Sequence, residues 1–165
     1  ARPPLPRRPD LAVLKVTLLS VGRFGRGPER DLFDTYAKRL SWPLDLQEIE
    51  DRKGGSDAER NARENQMLRD RSAGAQAIIA LDEGGELLDS RGFAARLQNL
   101  ADDGRRDIAV LIGGADGLEK ATRATASLSL SLGRLTWPHL MVRAMLAEQL
   151  YRAQTILSGH PYHRD

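Results

Sequence analysis

All three histidines of this 165-residue chain, His139, His160 and His163, lie in its final 27 residues. An unperturbed imidazole titrates near pH ~6.5, so each could take or give a proton close to neutrality. His160 and His163 belong to a terminal HPYHRD, beside Tyr162 and Arg164. A phenol can stack on or hydrogen-bond a planar base, and a guanidinium can hold a phosphate or a developing anion. Arg143 and Arg152 share a helical pattern just upstream. Nine residues is about two and a half turns, so they point to opposite sides. One can reach a site while the other pairs with Glu148, four residues before Arg152. The histidine spacings match no carboxylate pattern, so no metal site is expected.

Three glycine-bearing segments could bring backbone close to a ligand. GGADG (113–117) ends the most hydrophobic strand pattern and has no Lys or Ser/Thr to make a P-loop. Its glycines serve either a close ligand approach or a tight turn, with Asp116 near a helix start. LSLGRLTWPH (130–139) reads as strand, Gly-containing loop and Pro-started helix, and its backbone could read a nucleobase edge. Trp137 there is a packing residue or a stacking platform. GRFGRG (22–27) resembles a dinucleotide cradle, with Glu48 or Glu50 where a ribose-binding acid belongs. Its order, G-x-x-G-x-G, is not the G-x-G-x-x-G that a pyrophosphate turn needs. A flexible basic loop is the favoured reading.

These segments need a scaffold. Apolar β-branched runs predict strands over 13–21, 75–82 and 107–114, and alternation predicts strands over 44–50 and 127–133. Helical spacing covers 29–40, 56–72, 90–100 and 118–124, with Ser90 a candidate N-cap. The longest helix runs over 138–157, with Pro138 at N1 and Gly159 just past its end. Strands alternating with helices predict an α/β fold, Rossmann-like, with a parallel sheet covered on both faces. Ligands in such sheets bind beyond the carboxyl ends of the strands, where the glycine segments fall.

Composition narrows the class. The chain has no cysteine, which excludes thiolate nucleophiles and Cys-based metal sites and fits a reducing cytoplasm. No apolar run approaches a membrane span. The first ten residues hold three of the 25 basic and one of the 23 acidic side chains, so the rest carries 22 of each. Any nucleic-acid footprint is therefore local. Residues 134–165 supply one, with four arginines against Glu148 and Asp165. Residues 1–12, rich in Arg and Pro, read as a disordered extension, and 13–165 as a single domain.

IGGADGL, LTWPH, VRAMLAEQLYRA and HPYHRD occur in this order, after an opening strand ending in VG and an ALDEGG segment. In this combination the chain resembles the ribosomal RNA large subunit methyltransferase H family. That family belongs to the SPOUT class of knotted, S-adenosylmethionine-dependent RNA methyltransferases. The resemblance runs from about Leu14 to the end, and the Arg/Pro-rich start has no counterpart in the usual short form. It implies a C-terminal deep trefoil knot, an exception to the rule against threaded chains. It implies S-adenosylmethionine held by Leu81, Gly114, Gly133, Arg134, Leu135, Thr136, Trp137 and Pro138. It also implies a homodimer whose C-terminal tail helps build the active site. The substrate it implies is a pseudouridine of large-subunit rRNA, methylated at N3 on the assembled ribosome.

An imide nitrogen must lose its proton or have its anion stabilised. His163 is the first candidate for a base or a substrate holder, Tyr162 for contact with the nucleobase, and Arg164 and Arg143 for phosphate or developing charge. Proximity alone can supply roughly 7–11 kcal/mol, so no single base is required. Two other readings stand beside this one. One is a non-catalytic ribosome-binding or assembly factor on the same scaffold; the other is a nucleotide-dependent oxidoreductase using GRFGRG.

Overall fold

The computed structural model describes residues 13–164, and the expectation for residues 1–12 lies outside them. Five strands, β1 (Lys15–Val21), β2 (Leu44–Ile49), β3 (Ala77–Leu87), β4 (Asp107–Ile112) and β5 (Leu128–Ser131), form one sheet. Its order is β2-β1-β4-β3-β5 and every pairing is parallel. The sheet is therefore the one that strand–helix alternation requires. β4 occupies the centre, and its last five residues are buried, as expected of the most hydrophobic run.

Helices α1 (Pro28–Arg39), α3 (Ser90–Asp102) and α5 (His139–Ser158) cover one face, and α2 (Asp57–Ser72) and α4 (Lys120–Arg123) the other. Alternate residues of one strand divide between the two cores. Val16 and Leu18 point to the α1/α3/α5 side, and Leu19 and Val21 to the α2/α4 side. The 20-residue α5 packs on both α1 and α3. Among the described residues no helix is long and apolar enough to cross a membrane.

Three local expectations are corrected. β3 does not stop at Asp82 but continues to Leu87, with a register shift against β5 between Leu81 and Glu86. The charges and glycines of EGGE hide the strand, yet Gly85 is there because a Cβ would sit 2.7 Å from the Ser129 backbone. The N-cap of α3 is Asp89, which accepts from Gly92 N at 2.7 Å. Ser90 instead donates its hydroxyl to Gln149 Oε1 at 2.8 Å, tying α3 to α5. Pro138 is the N-cap of α5 rather than N1, because its extended ψ of 136° precedes the first helical turn. Gly159 closes α5 at φ 76°, a left-handed stop that glycine adopts without steric cost.

Candidate active site

A cleft of about 710 Å³ opens beyond the carboxyl ends of β4 and β5 and beside the middle of β3. That volume lies within the range of small-ligand sites. Its walls are the middle of β3 at Leu81–Glu83, where the pairing with β5 shifts register, the turn 112–118, and the connection from β5 into α5. Apolar contributions come from Leu81, Leu130, Leu132, Leu135 and Val142; Asp82, Asp116, Thr136 and His139 bring polar groups.

The turn is built on its glycines. Gly114 and Gly117 form an antiparallel bridge, with Gly117 N donating to Gly114 O at 3.0 Å. A Cβ on Gly113 would stand 2.8 Å from the Gly117 carbonyl carbon. A Cβ on Gly114 would stand 2.5 Å from Glu64 Oε2. Buried Asn65 of α2 clamps the same turn, accepting from Glu119 N at 2.9 Å and donating to Gly117 O at 3.3 Å. Neighbouring Glu64 is buried, and desolvation pushes its carboxyl above the ordinary range, with Arg60 pulling partly back. Asp116 does not start a helix; α4 is capped by Glu119, and Asp116 lines the cleft.

In the following connection, Ser131 Oγ donates to Gly133 O and accepts from Gly133 N, which sets the turn out of β5. Gly133 adopts φ 120°. Trp137 donates its indole N–H to Leu132 O at 3.2 Å and stays 36% exposed, so it folds across the loop rather than into the core. His139 Nε2 lies 2.9 Å from Val21 O, joining the cleft wall to the end of β1.

The tail forms a second cluster, around Glu148. That carboxylate accepts from Arg152 Nε at 2.9 Å, Arg152 Nη2 at 2.5 Å and the Tyr162 hydroxyl at 3.0 Å. The Arg152 guanidinium lies over the Tyr162 ring, 4.8 Å from its centroid. Tyr162 meets Tyr151 edge-on at 4.7 Å. Burial, then hydrogen bonding to Tyr36 and Glu148, pushes the Tyr162 phenol upward, so it remains a donor. Arg152 Nη1 lies 3.1 Å from His163 Nδ1. A guanidinium only donates, so this bond requires the Nδ1 lone pair and leaves the imidazole proton on Nε2. His160 Nδ1 accepts from Tyr162 N at 3.2 Å, which makes His160 part of the tail's own turn. Arg164 is exposed.

The cleft lies at the start of α5 and the tail cluster packs along its middle and second half. His139 is its first residue, Glu148 is nine residues on and Arg152 thirteen, so the separation is ~14 to ~20 Å along the axis. Arg143 belongs to neither group. It is fully buried and donates to Glu48 Oε2, Val21 O and Gly22 O. Its guanidinium is thus not presented to a phosphate, which corrects the expectation that it holds substrate. Burial pulls its pKa down, and Glu48 raises it in part.

Residues 14–163 match the family described as Predicted SPOUT methyltransferase. A ribosomal RNA large subunit methyltransferase H of Rhodospirillum centenum is 49% identical over 151 residues, covering 92% of this chain and 99% of the relative. The protein of that name from Caulobacter vibrioides is 46% identical over 161 residues, covering 93% of this chain and all of the relative. The chain belongs to this SPOUT methyltransferase family. Among solved structures, TrmJ from Z. mobilis shares the fold at a TM-score of 0.53 and 14% identity, covering 87% of this chain and 71% of that one.

For the methyltransferase, the structure gathers six of the eight residues expected at the cofactor. Leu81, Gly114, Gly133, Leu135, Thr136 and Trp137 line the cleft; Arg134 and Pro138 lie on the same loop, exposed and outside the lining. Tyr162 and His163 come together, with Arg152 and Glu148 as the partners that organise them. Glu64 and Asn65 were invisible to sequence reasoning, because a polar stretch of α2 carries no sign of which side chains turn inward. The GRFGRG loop is anchored at its centre, while Arg23, Gly25 and Arg26 are exposed. Phe24 is 4% exposed, packs edge-on against Phe33 at 5.5 Å, and donates its N–H to Glu48. Glu48 and Glu50 are engaged by Arg143, Arg23 and Arg52, so neither is presented to a ribose. Pro28 at the start of α1 removes one N–H, and Glu29 and Asp31 in its first turn repel a pyrophosphate. The dinucleotide reading falls on these contacts.

Proposed function

We propose that this chain is an S-adenosylmethionine-dependent methyltransferase that methylates N3 of a pseudouridine in large-subunit rRNA, on the assembled ribosome, as a homodimer. The observation that carries the reading is the cleft, built at the ends of β4 and β5 and the middle of β3 from the segments that mark the family. Its leucines suit an adenine face and its carboxylates, Asp82 and Asp116, suit a cationic ligand. When bound, the cofactor supplies an electrophilic methyl group on its sulfonium. With the cofactor held by the cleft loops, that methyl would pass to N3, and the N3 proton would pass to solvent.

Within one chain the tail cluster stands too far along α5 to touch a nucleobase at the cleft. The active site is therefore composite, the tail of one protomer meeting the cleft of its partner. A groove between α1, α3 and α5, lined by Leu32, Tyr36, Leu87, Phe93, Met145 and Glu148, is the face this homodimer covers. Leu32 and Leu87 are about half exposed there. His163, with its proton on Nε2, donates to a carbonyl of the base rather than abstracting the N3 proton. Tyr162 packs against the substrate and Arg164 holds phosphate. The C-terminal segment is knotted as in the family, α5 returning onto α1 and α3 after the cleft loops.

Calorimetric titration with S-adenosylmethionine and mass-spectrometric mapping of rRNA with and without the protein test the reading. Binding together with one added methyl on a large-subunit pseudouridine is expected. Absence of binding at millimolar cofactor sinks it. Binding to ribosomes without methylation favours the assembly-factor alternative.

A further inference from the structure

Among the described residues, Arg143 is the largest side chain with no solvent exposure at all. Its Nη1 donates to Glu48 Oε2 at 3.0 Å, and its Nη2 to Val21 O at 3.1 Å and Gly22 O at 2.8 Å. Its guanidinium stacks on Phe24, 4.9 Å from the ring centroid. The buried Nε has no hydrogen-bond partner among the described residues. Glu48 completes the arrangement by accepting from Phe24 N at 2.5 Å. One side chain thus ties α5 to the ends of β1 and β2 and to the loop between β1 and α1.

The ion pair is weak evidence for stabilisation, because the guanidinium is fully desolvated with one donor unsatisfied while Glu48 is 30% exposed. What the clamp does hold is the cleft. His139, one turn before Arg143, meets the same Val21 carbonyl at 2.9 Å and lines the cleft. The loop 133–138 runs directly into that first turn of α5.

We propose that Arg143 is a positioning residue for the cofactor site. By fixing the first turn of α5 to the end of β1, it holds His139 and the loop 133–138 at the cleft. Glu48 orients the guanidinium. The proposal rests on the reading that the cleft takes S-adenosylmethionine.

The test is calorimetric S-adenosylmethionine binding to the full chain and to two variants, each also melted thermally. In R143M/E48Q both charges are removed, and the glutamine amide oxygen keeps an acceptor for Phe24 N. R143K retains one charge but cannot bridge three acceptors on separate segments. The double variant is expected to melt somewhat below wild type, since Gly22 O loses its Arg143 donor, while its Kd, measured well below its Tm, rises roughly tenfold or more, the scale on which misplaced site geometry is felt. R143K falls between. A Kd in the folded double variant within about twofold of wild type overturns the proposal, as does an affinity loss that only tracks the fall in Tm. Should the double variant not fold, R143K measured well below its Tm decides on the same criterion. Wild type failing to bind sinks the functional reading instead of this one.

Discussion

Replacing Gly114 by alanine tests the physical argument for the cleft's central turn. The residue does not occupy the left-handed region, so alanine meets no backbone strain. Space is the obstacle. The new Cβ would lie 2.5 Å from Glu64 Oε2 and 3.1 Å from Val21 Cγ1. To reach even ~3.0 Å, Glu64 must retreat by roughly 0.5 Å, and the packing around it is dense. The carboxylate ends a flexible chain and can swing, but its side chain is only 9% exposed and it sits against Arg60 at 3.5 Å. Overpacking of this kind costs ~1–2 kcal/mol, toward the lower end of measured cases because one of the two atoms can yield. For a domain of this size Tm falls by roughly 2–8 °C. Urea unfolding of G114A, E64A and G114A/E64A forms a double-mutant cycle. If Glu64 is the obstacle, E64A relieves most of the G114A penalty, giving a coupling of ~1 kcal/mol. Strict additivity refutes the argument. S-adenosylmethionine affinity should fall in G114A, and recover in the double variant, if the turn relieves the clash by moving into the cleft.

Deleting residues 162–165 should leave cofactor affinity unchanged and abolish methylation of ribosomes, and mixing that truncated chain with G114A should restore part of the activity through a mixed dimer; surviving methylation in the truncated chain alone contradicts the composite site. Glu64 has a folded pKa above the ordinary carboxylate value of 4.5, so it favours folding below that pH and the contribution is lost as pH rises through the folded pKa. Unfolding in urea should therefore show E64Q gaining on wild type between about pH 4 and about pH 7.5; an equal difference at both pH values rules this out. Gly85→Ala places a Cβ 2.7 Å from the Ser129 backbone, which cannot swing aside, and should separate β3 from β5 at a cost of ~2–3 kcal/mol by thermal melting.

Much of this was legible in the chain. The periods of 2 and 3.6 located all ten elements to within a few residues, β3 excepted at its far end, because those patterns are local. Parallel pairing followed from strand–helix alternation. The order of the motifs sufficed for the family, and six of the residues expected at the cofactor converge because all but Leu81, which is mid-strand in β3, follow the end of β4 or β5. The far half of β3 was not legible: Glu86 and Leu87 are strand only because Leu130 and Ser131 pair with them. Nor was the fate of Asp116, since the glycine turn and the short α4 compete for the same few residues.

By itself, then, the sequence determined the scaffold, the family and the loops that form the cleft, since each is written in contiguous stretches or in their order. Only the tertiary structure decided what Arg143 does, because its partners Glu48 and Val21 lie 95 and 122 residues away. Spacing along α5 showed that Arg143 and Arg152 diverge. It did not show which one is buried in a clamp and which one organises the tail. The structure likewise separated the tail cluster from the start of α5 by about half that helix or more. That separation divides one stretch of histidines and arginines into two clusters, which is what the proposed dimer would have to reunite.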